Sequence, residues 1–314
     1  RRRRHLNRLG AFLTLSVQEA LADAGLEAAG LEGAAMTYGS ACGCSGNVHA
    51  FYTKLLAEGP RAASPQEFML SVTNAPPALV GQSLGFGGPI WVFVADEASW
   101  EASLHWADRL IRNGRVERVV VSAAEEVSGS ILAIHEALGF LGRGLVLGEG
   151  ALTLILESPQ SAVARGQSAY GALLRCATAQ NAGCGPLDYA RGGDALRAAA
   201  LESLKAVSGN EPALMCLGPA GGVPELELIE RAVMKAVSKA FPRVSTPCRL
   251  RPLLGESGVA GGFSLAAALL NDGQWMQEDF EGCGVSHALT LTSARGGIQA
   301  ATLVRIHSRR AFAV

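Results

Sequence analysis

Ile90-Trp91-Val92-Phe93-Val94-Ala95, with residues 98–113 and 116–124 behind it, is the stretch that decides the fold class. The first run is continuously apolar and rich in β-branched and aromatic residues, which fits a buried strand. In 98–113, Trp100, Leu104, Ala107 and Ile111 recur at helical spacing and give the segment one apolar face. Gly114 reads as a helix stop, and Val119-Val120-Val121 marks the next buried strand. Strand, helix, strand is the unit of a layered α/β fold.

Working outward, Ala151-Leu152-Thr153-Leu154-Ile155-Leu156-Glu157 reads as a third strand. The second half repeats the grammar. Residues 196–207 and 224–241 are predicted helices, the latter opened by Pro224 at a first-turn position. Residues 258–270 form a glycine- and alanine-rich helix that needs close neighbours. Strands at 287–292 and 300–306 flank Ser293-Ala294-Arg295-Gly296-Gly297. This repetition predicts an internal duplication with halves 1–160 and 161–314, although no strict sequence repeat is present.

The 314 residues are 49% hydrophobic and 18% charged with a net charge of -1, which allows one large core or two fused domains. Near-neutrality argues against a nucleic-acid partner, which needs a concentrated basic surface. The one charge block, Arg1-Arg2-Arg3-Arg4, reads as a solvated segment, or alternatively as a dock for an acidic partner. Cys42, Cys44, Cys176, Cys184, Cys216, Cys248 and Cys283 contain no C-x-x-C pair. Cys42-Gly43-Cys44 has no second pair or histidine cluster for zinc, so no metal site is expected. The cysteines are expected to be reduced and mostly buried, which implies a cytoplasmic protein. No apolar run is long enough to span a bilayer and nothing resembles a signal peptide, so a soluble chain with no membrane partner is expected. Gly39-Ser40-Ala41-Cys42-Gly43-Cys44, before a helix-like stretch at 48–56, lacks the spacing of a phosphate cradle. So does Gly255-Glu256-Ser257-Gly258-Val259-Ala260-Gly261-Gly262, and both read as packing features.

Taken together and in order, these segments resemble the β-ketoacyl synthase branch of the thiolase superfamily. Leu147-Gly148-Glu149-Gly150-Ala151, Leu156-Glu157, Ala164-Arg165-Gly166 and Tyr170 are similar to that family's most specific stretch. Asn74-Ala75-Pro76, Gly88-Pro89, Gly39-Ser40 and residues 293–297 match further landmarks. The resemblance implies a thiolase-like fold, a duplicated five-layer αβαβα architecture. Measured against it, the chain begins after the family's first strand-and-helix unit, and the connection 138–147 is short. The expectation that follows is a longer protein with segments missing from this sequence; an intact mass near 32.5 kDa would contradict it.

Ketosynthases use a cysteine at a strand-to-helix elbow, where the helix N-terminus lowers the thiol pKa, together with two histidines and a lysine. Aligned on Gly88-Pro89, the cysteine position is Glu97, which reads as a first-turn charge or cap. The first histidine position is Leu217, or Cys216 with a one-residue gap, the lysine position is Arg251, and the second histidine position is Glu256. None of His5, His49, His105, His135, His287 and His307 falls in a matching motif. No catalytic residue is therefore expected. Val94-Ala95-Asp96-Glu97-Ala98 and Gly221-Gly222-Val223-Pro224-Glu225-Leu226-Glu227 resemble the replacements found in the chain length factor, or ketosynthase β subunit, of type II polyketide synthases, with glutamate at 97 where those proteins carry glutamine. That resemblance implies a heterodimer with an active β-ketoacyl synthase. It also implies substrates delivered on the phosphopantetheine of an acyl carrier protein, with no cofactor bound directly. Val48, Phe51, Tyr52 and Phe68 are candidates for gating the partner's acyl tunnel at the interface, or alternatively are ordinary core residues. Two other functions are weighed: a decarboxylase that makes primer from malonyl carrier protein, and a scaffold that only stabilises the synthase.

Overall fold

The computed structural model describes residues 7–141, 145–207, 214–219, 222–245, 247–270 and 285–307. The Arg1-Arg4 run, His5, Cys283 and Ala220-Gly221 lie outside the described residues, as do 142–144 of the short connection.

In chain order the elements begin with α1 (Arg8–Asp23), β1 (Ala35–Gly39), α2 (Ser45–Glu58), α3 (Pro65–Ser71) and α4 (Ala75–Leu84). The decisive stretch follows as β2 (Ile90–Phe93), a single 3-10 turn (Asp96–Ala98), α5 (Ser99–Arg112) and β3 (Arg118–Glu125). Then come α6 (Gly129–Ala137), β4 (Gly150–Glu157), α7 (Pro159–Ala164), β5 (Gly171–Gln180) and α8 (Asp194–Leu204). The chain closes with β6 (Leu214–Leu217), α9 (Pro224–Ala240), α10 (Arg251–Leu254), α11 (Ala260–Leu270), β7 (His287–Ser293) and β8 (Ile298–Ile306). Helix starts follow local chemistry. Ser64, Ser128 and Ser158 cap α3, α6 and α7 through their hydroxyls, with Pro65 and Pro159 in first turns.

The strands form two four-stranded sheets, ordered β2-β1-β3-β4 and β5-β8-β7-β6. In the first, β1 runs parallel to β2 and β3, and β4 is antiparallel to β3. In the second, β6 runs parallel to β7, and β8 is antiparallel to β7 and β5. A parallel bridge between Leu217 and Cys248 stands beside β6 where β2 stands beside β1. The parallel-then-antiparallel pattern thus occurs twice.

Helix α1 covers the outer face of the first sheet with α4 packed beside it, and α8 that of the second with α9 packed beside it. Between the sheets lie α5 and α11, giving five layers. Trp100, Leu104 and Ala107 of α5 enter the central core with Val119, Val121, Leu265 and Ala288, as the helical spacing of that face requires. The close neighbours of the glycine-rich helix are visible: a Cβ on Gly262 would sit 2.7 Å from the Trp100 ring. Glu97 lies just ahead of α5 and Glu256 just ahead of α11, and the two line a common cavity.

Of the six described cysteines, Cys44, Cys176 and Cys216 are buried, while Cys42, Cys184 and Cys248 are partly exposed. Among the described residues no helix is long and apolar enough to cross a membrane. No group of three or more His, Cys, Asp or Glu side chains there is placed to hold a metal ion.

Candidate functional site

The elbow between β2 and α5 is a tight turn. Asp96 has φ +49°, the one non-glycine left-handed residue among those described. Ser99 locks the turn: its hydroxyl donates to the Asp96 carbonyl at 2.7 Å and accepts from the Ala95 N–H at 3.0 Å. Trp100 N–H donates to the Gly258 carbonyl at 2.9 Å, which ties the elbow to the segment before α11. On the other side, the backbones of Gly148 and Gly255 touch. Gly255 has φ +77°, and a Cβ on either glycine would strike the opposing main chain. The glycine of the Leu147–Ala151 stretch is therefore a close-approach residue that seats Glu256 beside Leu147 in a parallel bridge.

Glu97 is 1% exposed. Its carboxylate accepts from the Arg295 backbone N–H at 3.0 Å and from the Tyr189 hydroxyl at 3.2 Å. It forms an ion pair with Arg295 Nε at 2.7 Å, off the axis of the N–H bond. Arg295 comes from the turn between β7 and β8. Its Nη2 donates to Asp96 Oδ1 at 3.0 Å, and its guanidinium lies 5.1 Å from the Phe140 ring centroid. His135 completes the group: Nε2 faces Arg295 Nη1 at 3.5 Å, and Nδ1 donates to the Ile131 carbonyl at 2.9 Å. An acid at position 97, where an amide would be expected, is thus matched by a cation from the far end of the chain.

Arg251 and Glu256 form a second ion pair, both groups almost fully buried. Arg251 Nη2 also donates to Thr292 Oγ1 at 3.2 Å, and that hydroxyl donates to the fully buried Glu101. A third carboxylate, Glu125, accepts from the backbone N–H groups of Ala41 and Cys42 in the glycine-rich turn. Asp96, Glu97, Glu125, Glu256, Cys42, His135 and Arg295 line one cavity of about 30 Å³.

Three of the four degenerate positions, Glu97, Arg251 and Glu256, are therefore gathered in one charged cluster. The fourth, Leu217, is buried in the apolar core at the end of β6 and does not line the cavity. The tunnel candidates lie elsewhere. Phe51 stacks edge-on to Tyr52 with ring centroids 5.6 Å apart and tilts against Phe68 at 5.7 Å. Their reading as ordinary core residues does not hold, because α2 buries none of its side chains and Tyr52 and Phe68 are 54% and 57% exposed. Helical spacing marks an apolar face but not what covers it. Asp96, Glu101, Tyr189, Thr292 and Arg295 were not singled out as site residues by sequence. Two of them had a signal: Asp96 lies in the Val94–Ala98 stretch beside Glu97, and Arg295 in the late glycine-rich loop.

The chemistry available is limited by these partners. Burial, reinforced by the Glu97 charge, raises the Asp96 carboxyl above its ordinary range against the pull of Arg295. Burial likewise raises Glu256 against the pull of Arg251. Burial, with Glu125 beside it, pushes the Cys42 thiol up to about 12, so it is not a thiolate at neutral pH. His135 spends both ring nitrogens on the Ile131 carbonyl and Arg295.

Glu125 carries a pH prediction. Burial raises its pKa from 4.5 to about 7, so between those values the folded chain holds a proton that the unfolded chain has lost. Its contribution to stability is therefore lost as pH rises through that window, by about 3 kcal/mol. Measured by urea unfolding, Glu125→Gln is expected to gain on the parent by about that amount from pH 4.5 to pH 8. A pH-independent difference would contradict the assignment.

Comparison with known proteins agrees with this architecture. Residues 1–162 match the family described as β-ketoacyl synthase, N-terminal domain. The actinorhodin polyketide putative β-ketoacyl synthase 2 of Streptomyces coelicolor is 28% identical over 66% of this chain and 54% of its own length. The solved ishigamide ketosynthase/chain length factor superposes with a TM-score of 0.82 at 19% identity, covering 97% of this chain and 83% of that one. A type II polyketide synthase acyl-carrier protein in complex with its ketosynthase bound to the hexaketide gives 0.82 at 18% identity, covering 97% and 86%. The fold is thus the mixed α/β, thiolase-like fold of the ketosynthases. The chain belongs to the β-ketoacyl synthase family. It spans about half the length of the curated relatives it matches.

Proposed function

We propose that the chain is a chain length factor, the non-catalytic partner of an active β-ketoacyl synthase in a type II polyketide synthase. One observation carries this reading. The positions of the nucleophile, the lysine and the second histidine hold Glu97, Arg251 and Glu256, and all three are engaged in buried ion pairs. A carboxylate bound to a guanidinium cannot be acylated reversibly as a thiolate is, and it cannot donate to an enolate oxygen. The growing chain is carried by the partner's cysteine, and its substrates arrive on the phosphopantetheine of an acyl carrier protein.

Two surfaces suit that partner. Among the described residues, strand β2 pairs only with β1, and its four residues Ile90–Phe93 are apolar, an edge that a second subunit can cover. Val48, Tyr52, Phe68 and Met69 on α2 and α3 expose apolar side chains. In the proposed heterodimer α2 lies against the partner, and Phe51, Tyr52 and Phe68 limit how far the acyl chain extends, since overlap with packed rings is costly.

The test is co-expression with an active ketosynthase and its carrier protein. The two chains are expected to co-purify, and Phe51→Ala or Tyr52→Ala to shift products to longer chains at unchanged complex yield. A pair that fails to associate would refute the reading. Unchanged product length in both variants would leave a scaffold and remove the gating role.

A further inference from the structure

The hairpin of α2 and α3 stands apart from the apolar cores. No residue from 45 to 74 is buried, and none of them joins the three core clusters. Phe51 packs on Tyr52 and Phe68, which belong to the same hairpin. A helix of 14 residues such as α2 is marginal without apolar burial, so polar contacts weigh heavily in holding it to the body. One of them, between Ser45 Oγ and Ser128 Oγ at 2.9 Å, ties the start of α2 to the cap of α6.

Asn7 reaches both helices of the hairpin. Its Nδ2 donates to Asn47 Oδ1 of α2 at 2.9 Å, and lies 3.4 Å from the Leu70 carbonyl of α3 and 3.3 Å from Cys44 Sγ just ahead of α2. Its Oδ1 accepts from the Gly10 N–H at 2.8 Å as the cap of α1. That bond orients the amide, with the oxygen on α1 and both N–H donors on the hairpin. Asn47 lies one helical turn before Phe51, and Leu70 two residues after Phe68. Helix α1 is itself seated in the core through Leu9, Leu13, Val17 and Leu21. The polar bridge therefore runs from a buried helix to the two helices that carry the aromatic rings.

We propose that Asn7 is a positioning residue: its amide latches the hairpin of α2 and α3 to α1 and thereby fixes where the Phe51 and Phe68 rings stand. In the heterodimer described above, the same latch fixes the length at which the acyl chain is stopped. The effect on product length rests on the gating reading above; the latch itself is a property of the isolated chain.

Asn7→Ser separates the two roles of the side chain, since serine is as good a cap for α1 but too short to reach the hairpin. In the isolated chain, hydrogen exchange followed by mass spectrometry is expected to run roughly tenfold faster than in the parent for peptides from 45–72. Peptides of α1 and of the sheets are expected to exchange at unchanged rates. Unchanged exchange across 45–72 in a folded Asn7→Ser would overturn the latch. In the co-expressed pair, Asn7→Ser is expected to broaden the distribution of product lengths at unchanged complex yield, and to have no further effect once Phe51 is replaced by alanine. Product length unaltered by Asn7→Ser but shifted by Phe51→Ala would overturn the positioning role. Product length unaltered by both would refute the gating reading on which that role rests, while the exchange result decides the latch by itself.

Discussion

Arg251→Met is expected to lower the free energy of unfolding by about 3–5 kcal/mol, the usual cost of removing one partner from a buried ion pair. Arg251 is 2% exposed and Glu256 6%, so neither can be rescued by water. Without the guanidinium, Glu256 loses its counter-charge. Thr292 loses its donor, and Glu101, already carrying a buried oxygen without a hydrogen bond, loses the nearby positive charge that opposes the rise of its pKa on burial. The double variant Arg251→Met/Glu256→Leu is expected to recover most of the loss, because two apolar groups of similar volume need no compensation. Urea unfolding of the four proteins of the cycle measures this. A single variant as stable as the parent, or a double variant no better than the single, would show that the pair is not the structural unit described.

The second large effect concerns decarboxylation. The purified chain is expected to release carbon dioxide from malonyl carrier protein at background, at least about a hundredfold below an active ketosynthase. Each missing hydrogen-bond donor to a developing oxyanion costs about 10²–10³ in rate. Here Leu217 stands in the apolar core and Glu256 is an acceptor paired with Arg251. His135 lines the cavity but is bonded at both nitrogens. Release at a rate comparable with an active enzyme would establish the decarboxylase reading instead.

The layered α/β class was legible because the two periodicities differ. Trp100, Leu104 and Ala107 at helical spacing between two continuous apolar runs leave little choice, and α5 closes within one residue of its expected ends. The boundaries of β8 shifted: the strand begins at Ile298, not at 300, because Gly296 and Gly297 turn the chain more tightly than composition indicates. The site was legible only in part. Glu97, Arg251 and Glu256 stand out by position, but their partners do not, since Arg295 lies 198 residues from Glu97. Pairing across that separation is set by how the two sheets pack around α5 and α11, and no local pattern encodes it. The surface aromatics failed for the opposite reason. A helical stripe of Val48, Phe51 and Tyr52 is the same in sequence whether its own core or another subunit covers it.

The central claim is that the chemistry belongs to the partner and none of it to this chain. Elongation by the reconstituted pair tests it most directly, with Glu97→Gln in this chain set against replacement of the partner's nucleophilic cysteine by alanine. Glutamine keeps acceptor geometry toward Tyr189, and Arg295 keeps Asp96, so an intact heterodimer is expected. The account predicts elongation within about twofold of the parent for Glu97→Gln and none for the partner variant. Elongation abolished by Glu97→Gln in an intact heterodimer would contradict it.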